Sequence, residues 1–424
     1  MTDTNNILSF LGIPEKEIKN ISIEYENEEA FVVIDLKDIR EKCPKCGSKN
    51  IAIKDYYDVC IRNSVLTNKK MHVEIHMRRY VCKECKKSFR QKLSFYDENC
   101  DISNETKFQI AQELKTFKNI TEISKEFNVS PSKIREILDN DIPYQKRGKL
   151  PEVLCIDEFC FRHSSKGEKF PAVISDGLTG RIIDIVESRR KDYLVEYFSK
   201  IPFGERKNVK YFVSDMNDTY KQMHRIFFPD SIYLIDMFHI SNLFNNCVRE
   251  VRSRIMKNNE KGSKEYGFLK NNWKFFQMHE DRLVTLKKVN ERTGVVIFWN
   301  EEVKYVLRKY NELNKAFSLK EEFYKGTRRL LFYTEAERLI SFLIISSNSS
   351  LVPEVNKLGK SLQNWKYEIV NALVRNPYKR RLSNGVAEAN NSVIEKLIST
   401  SFGLVNFPRL RKRILYIVNS KKTG

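Results

Sequence analysis

Asp157 stands inside the apolar run Glu152-Val-Leu-Cys-Ile-Asp-Glu-Phe-Cys-Phe161. A strand built from Val153, Leu154, Ile156, Phe159 and Phe161 packs on a core, where an unpaired carboxylate is costly or stays protonated. Asp215 ends a second such run, Val209-Lys-Tyr-Phe-Val-Ser-Asp215. Two hard oxygen ligands held together at a sheet edge repel one another unless a divalent cation sits between them. A third candidate, Glu388, lies far downstream in Leu382-Ser-Asn-Gly-Val-Ala-Glu388. There Asn384-Gly385 marks a turn, and Val386, Ala389, Val393 and Leu397 supply the buried face of a helix.

A different metal chemistry is written in the cysteines. Cys43-Pro-Lys-Cys46-Gly and Cys82-Lys-Glu-Cys85-Lys are two Cys-x-x-Cys turns, each able to bring two thiolates to one tetrahedral zinc. Met71 to Met77, between them, alternates as a strand does, so the pair reads as a zinc ribbon holding one structural Zn2+. His72 and His76 are the alternative ligands. Cys60, Cys100, Cys155, Cys160 and Cys247 read as ordinary buried thiols.

The elements that position these groups follow in order. Ile120, Ile123 and Phe127 share one helical face, Ser130 caps a second helix with Pro131 at its first position, and Ile134, Ile137 and Leu138 line it. This is a helix-turn-helix pattern, with an ordinary helical hairpin as the alternative; as a helix-turn-helix its second helix offers Ser132, Lys133 and Arg135 to a DNA groove. A basic linker follows, with Lys146 and Arg147 as further DNA contacts. Apolar runs at Val153 to Phe161, Phe170 to Ser175 and Arg181 to Glu187 then form a three-strand meander. A helix, a fourth strand ending at Asp215, another helix and a fifth strand, Ser231 to Asp236, come next. Three antiparallel strands followed by alternating helices and strands give a ribonuclease-H-like mixed sheet, in which Asp157 and Asp215 become neighbours.

The chain has 424 residues, and 75 Lys and Arg against 55 Asp and Glu give a net charge of +20. With 41% hydrophobic content it fills more than one core, and the excess positive charge points to a polyanion. It lacks an apolar run of about 18 residues and a signal-peptide pattern, so the expected setting is the cytoplasm, with reduced thiols and no membrane.

Asp157, Ser214-Asp215-Met216, Asp236-Met-Phe-His239 and Ser383-Asn-Gly-x-x-Glu388-x-x-Asn391 together resemble the DDE transposases of bacterial insertion sequences, most closely the ISL-three family. The similarity runs from the cysteine pairs to the ending Phe402-Gly-Leu-Val-Asn-Phe407-x-Arg409-x-Arg411-x-Arg413. It implies that Asp157, Asp215 and Glu388 form the metal-binding triad for two Mg2+ ions, with Mn2+ able to substitute. It also implies that Asp236, His239 and Asn391 support the triad, and that Arg409, Arg411 and Arg413 join the DNA contacts. The implied partners are double-stranded terminal inverted repeats and target DNA, met by a homodimer or larger assembly. After the glutamate this chain departs from the pattern, with Ala389, Ser392 and Glu395 where the family usually has Gly, a second Asn and basic residues.

The gap from Asp215 to Glu388 is too long for one helical connection, so an insertion lies inside it. The expected architecture is α/β and multidomain. It comprises a zinc-ribbon region over 1–100, a helix-turn-helix and linker over 101–150, and a ribonuclease-H-like core over 151–256. An all-helical insertion follows over 257–378, and 379–424 returns to the core with the third carboxylate. Most of the insertion's aromatics, among them Trp273, Phe275, Phe276, Phe298, Trp299, Tyr305, Phe332, Phe342 and Trp365, are expected in its core. Two rivals to an active transposase fit the same residues: a catalytically silent DNA-binding regulator or relic, and a structure-selective nuclease of the same fold.

Overall fold

The computed structural model describes residues 14–27, 29–40, 42–62, 71–93, 100–161, 167–289, 296–400 and 406–420; the side chains of Val386, Ala387, Glu388, Ile297 and Ser420 lie outside that description. The chain forms two compact units, one made of 1–146, 163–165 and 394–424, the other of 147–162 and 166–393. The expected division kept 379–424 whole with the core; the observed boundary falls instead within the helix Gly385–Thr400. Among the described residues no helix is long and apolar enough to cross a membrane.

In the first unit, strands β1 (Ile18–Glu26), β2 (Glu29–Leu36), β3 (Ile51–Arg62), β4 (Met71–Cys82) and β5 (Ser88–Arg90) form one sheet. Its order is β1-β2-β4-β3, with β5 on β4. Val73, Ile75 and Met77 alternate inward with Val32 and Ile34, which is the period-two pattern of a half-buried sheet. Helices α1 (Asn104–Glu113), α2 (Ile120–Glu126) and α3 (Pro131–Asn140) follow. Each starts on a side-chain cap: Ser103 for α1, Asn119 in a capping box with Glu122 for α2, and Ser130 ahead of Pro131 for α3. The turn between α2 and α3 passes through Asn128 at φ +48, and Ile120, Ile123, Phe127, Ile134, Ile137 and Leu138 are buried.

The second unit opens with β6 (Val153–Glu158), β7 (Ala172–Asp176) and β8 (Ile182–Val186), an antiparallel meander. Helices α4 (Lys191–Ser199) and α5 (Phe203–Arg206) lead to β9 (Tyr211–Ser214), which lies parallel to β6. After α6 (Asp218–Phe227), β10 (Ile232–Ile235) pairs in parallel with β9, and α7 (Met237–Asn258) departs from its end. The sheet order β10-β9-β6-β7-β8 is that of a ribonuclease-H-like core.

The meander turns at Asp176-Gly-Leu-Thr-Gly180, where a Cβ on Gly177 would come within 2.6 Å of Val153 Cγ1 and 2.7 Å of Cys155 Sγ. Gly177→Ala is therefore expected to destabilise the core by roughly 1–3 kcal/mol, read as a lower midpoint in urea unfolding at unchanged slope.

Among the described residues between 257 and 378 the named elements are helices and a short ribbon of β11 (Lys287–Val289) and β12 (Val296–Phe298). These helices share a continuous apolar core with the sheet, and Phe244 stacks on Phe323 at 4.4 Å. Phe276 is buried and Phe275 stacks on Trp299, as expected of core aromatics. Trp273, Phe298, Tyr305, Phe332 and Phe342 are exposed instead. Helical periodicity and aromatic content do not distinguish these two sets.

Candidate active site and zinc ribbon

Parallel pairing of β6 with β9 sets Cys155 opposite Val213, so Asp157 and Asp215 leave the sheet at the same edge. Burial raises both carboxyls, Asp157 to about 6 and Asp215 to about 7. Nearby charge adds to it: Glu158 and Asp215 raise Asp157, and Glu158 and Asp236 raise Asp215. The backbone N–H of Glu158 and the nearby His239 oppose the shift at Asp157, and Arg189 opposes it at Asp215. Asp215 Oδ1 is buried with no hydrogen-bond partner. A buried, unpaired carboxylate oxygen is a poor structural feature and a good ligand for a hard divalent cation, so Asp157 and Asp215 have the donor chemistry that such an ion takes.

Asp236 is buried, and burial raises its carboxyl. It caps α7 through the Phe238 N–H on Oδ1, while its Oδ2 is buried with no hydrogen-bond partner. Three asparagines fasten the segment that starts the Glu388 helix. Asn384 Nδ2 donates to the Ile156 carbonyl at 3.1 Å, and Asn390 Nδ2 to the Gly180 carbonyl at 2.8 Å. Asn391 Nδ2 donates to Asp157 Oδ2 at 2.9 Å and to the Glu158 carbonyl at 3.3 Å. Glu388 lies three positions before Asn391 on the helix Gly385–Thr400, and its side chain is outside the described ones.

Glu158, which strand alternation turns away from Asp157, is ion-paired with Arg189 and accepts from Tyr220 Oη at 2.9 Å. Its charge nevertheless reaches Asp215 and raises that carboxyl. Arg189, stacked 4.8 Å over Phe170, and Tyr220 were not singled out from sequence; neither carries a local signal beyond standing near an acidic strand end. Asn384 and Asn390 read only as turn and helix residues.

The sign of the shifts fixes a pH dependence. A carboxyl raised in the folded state stabilises the fold below its unfolded pKa of about 4, and that stability is lost as pH rises through the folded value, here about 6 and 7. Without divalent cations the core is expected to melt progressively earlier from about pH 4 to about pH 7, the window between the unfolded and folded values of these two acids. Mg2+ is expected to restore the melting temperature at pH 8 and to have little effect at pH 5, which thermal scans with Mg2+ or a chelator measure.

In the first unit the antiparallel register Ile51↔Cys82 brings together the two knuckles that flank β3 and β4. All four sulfurs of Cys43, Cys46, Cys82 and Cys85 lie within 4.8 Å of one another. Cys43 is 3.7 Å from Cys85, and Cys46 is 3.6 Å from Cys82. Tetrahedral zinc at about 2.3 Å from each sulfur sets neighbouring sulfurs roughly 3.8 Å apart, so the site fits it. Gly47 at φ +72 and Lys86 at φ +57 occupy equivalent turn positions. The N–H groups of Cys46 and Lys45 aim at Cys43 and lower its thiol to about 7. His72 and His76 pair with Glu29 and Asp58, not with the cysteines. Of the other thiols, Cys155 and Cys247 are buried, whereas Cys60 is exposed on β3.

The expected DNA contacts divide. Ser132 and Lys146 are exposed, and Arg135 is partly so. Lys133 is held by Glu136 at 3.0 Å and lies 4.0 Å from Asp101. Arg147, partly exposed, makes a two-point pair with Glu205, at 2.5 and 3.0 Å. Arg409, Arg411 and Arg413 all have partners within the protein. Arg409 grips Asp139, Arg411 donates to the Gln145 carbonyl, and Arg413 is fully buried on main-chain carbonyls. A basic side chain on an amphipathic helix looks the same in sequence whether it faces DNA or a buried carbonyl.

A sheet of this order, with carboxylates gathered at the ends of its first and fourth strands and a four-cysteine ribbon on the same chain, defines a class of nucleic-acid-processing proteins with ribonuclease-H-like cores. Residues 154–414 match the family model described as transposase, of the ISL3 DDE type. Residues 40–85 match the model described as zinc-finger of transposase IS204/IS1001/IS1096/IS1165. The first match spans more than half of the chain, and the protein belongs to that transposase family. A comparison with curated proteins returns no match.

Proposed function

We propose that the protein binds the terminal inverted repeats of an insertion sequence and cuts and rejoins DNA at them, with divalent cations held by Asp157, Asp215 and Glu388. The observation that carries this is the orphaned Asp215 Oδ1 in a cluster of carboxyls raised by burial and by one another. When bound, Mg2+ shields the scissile phosphate, activates the attacking oxygen and stabilises the leaving one.

The chain's own residues hold the ligands still. Asn391 fixes Asp157, and Asn384, on the Ile156 carbonyl, fastens the turn from which the Glu388 helix departs. His239 favours the ionised forms of Asp157 and Asp236. The zinc ribbon and the helices α2 and α3, with Ser132, Arg135 and Lys146 open to a ligand, supply recognition of the DNA end. Joining two ends in one event calls for a dimer or larger assembly on DNA.

The test is to incubate the protein with tiled duplexes from the DNA flanking its gene, in Mg2+ and in chelator, and map nicks at single-nucleotide resolution. The expected outcome is one Mg2+-dependent nick at the boundary of an inverted repeat. Tight binding at that boundary with no nick in Mg2+ or Mn2+ would instead make the protein a silent DNA-binding regulator.

A further inference from the structure

The last fourteen described residues, the helix Phe407–Ser420, belong to the first compact unit together with the ribbon and the helices α1 to α3. Leu410, Ile414, Ile417 and Val418 form its buried stripe at helical spacing. Its basic residues are spent on the hairpin of α2 and α3 and on the segments at both ends of that hairpin. Arg413, with no exposed surface, donates from Nε to the Leu114 carbonyl at 3.3 Å and from Nη2 to the carbonyls of Thr116 at 3.2 Å and of Lys118. Those carbonyls end α1 and lead into α2. At the far end of the hairpin, Arg409 makes a two-point ion pair with Asp139 of α3, at 2.9 and 2.5 Å, and Lys412 donates to the Asp139 carbonyl at 2.6 Å. Arg411 lies 5.2 Å over Tyr144 and donates to the Gln145 carbonyl.

Burying an arginine without exposed surface is expensive unless its donors are satisfied, and here burial pulls its pKa down to about 10. Three carbonyls on one short connection are a specific return for that cost. They fix the angle at which α2 leaves α1, while Arg409 and Lys412 fix the end of α3.

We infer that Arg413 is a positioning residue for recognition of the DNA end: the hairpin that reads the terminal repeat takes its binding pose only when the C-terminal helix is docked on it. The DNA-recognition unit is therefore assembled from both ends of the chain. This rests on the proposed binding of terminal repeats by α2 and α3.

The experiment measures the affinity of full-length protein for fluorescent duplexes spanning the element's end and for random duplexes of the same length. Wild type is compared with Arg413→Met, Arg413→Lys and Asp139→Asn, with zinc content and melting temperature recorded for each. Arg413→Met is expected to reduce the ratio of end to random affinity by at least about 10-fold, with random binding and zinc content unchanged. Arg413→Lys, which keeps a charged donor, should recover part of the ratio. Asp139→Asn, at an exposed position that does not threaten folding, should reduce it by roughly 3-fold even if Arg413→Met fails to fold. Wild-type discrimination in folded Arg413→Met, or in Asp139→Asn when Arg413→Met is unfolded, overturns the inference and leaves end binding standing. A wild type that does not distinguish the element's end from random DNA overturns the proposed end binding and the inference with it.

Discussion

Asp215→Asn is expected to lower Mg2+-dependent cleavage of the terminal duplex by at least about 1000-fold while leaving affinity for that duplex within about 2-fold of wild type. The amide keeps the size of the side chain and removes the charge on which a divalent cation depends. Binding is expected to be spared because the proposed recognition of the DNA end lies with the ribbon and the helices α2 and α3. The same substitution should make the metal-free protein more stable at pH 8. Asp215 is raised to about 7 by burial first and by Glu158 next, so holding it ionised works against the fold, on the order of 2–4 kcal/mol. Gain of stability with loss of cleavage separates a metal ligand from a residue that merely supports the sheet, whose loss lowers both. Asp157→Asn should lose cleavage equally but gain less stability, because its shift is smaller and because Asn391 and the Glu158 N–H already serve its oxygens.

Cys82→Ser should remove the bound zinc entirely, taking metal content from one per chain to none. Its thiol is fully buried at the end of β4, 3.6 Å from that of Cys46, and a serine hydroxyl is neither soft enough nor acidic enough to replace it. Structural zinc contributes on the order of 10–16 kcal/mol to small sites, more than a sheet with one small apolar cluster beside the knuckles can make up. The expected result is a ribbon that unfolds and end affinity that falls to the level of random DNA. The Mg2+-dependent melting of the core, which is a separate compact unit, should persist. Elemental analysis and titration of labelled duplex measure the two effects on one preparation.

Much of this was legible in sequence because it is local. The spacing of Cys43, Cys46, Cys82 and Cys85 specifies a ligand set without reference to the rest of the fold. Asn119, Ser130 and Pro131 set helix starts by chemistry that acts within three residues. The order of strands and helices from Val153 to Asp236 fixed the sheet, and with it the meeting of Asp157 and Asp215, since a parallel β6–β9 pair leaves little freedom of register.

What sequence did not carry is long-range. Arg413 finds its acceptors nearly three hundred residues away, and Arg147 finds Glu205 across the core. Both look like free charge until the partners are in place. The clasp formed by Asn384, Asn390 and Asn391 is equally invisible, because an asparagine's donor shows nothing of its acceptor. The ribbon of β11 and β12 escaped because three-residue strands fall below the length at which alternation is informative.

The central claim is that Asp157 holds a catalytic divalent cation, and metal-specificity rescue tests it most directly. Asp157→Cys replaces a hard oxygen ligand by a thiolate, which Mg2+ tolerates poorly and Mn2+ accepts better. Cleavage of the terminal duplex by this variant is expected to be undetectable in Mg2+ and to return in Mn2+, with wild-type protein active in both. Equal activity of the variant in the two metals, or silence of the variant in both while it remains folded and bound to DNA, would contradict the account.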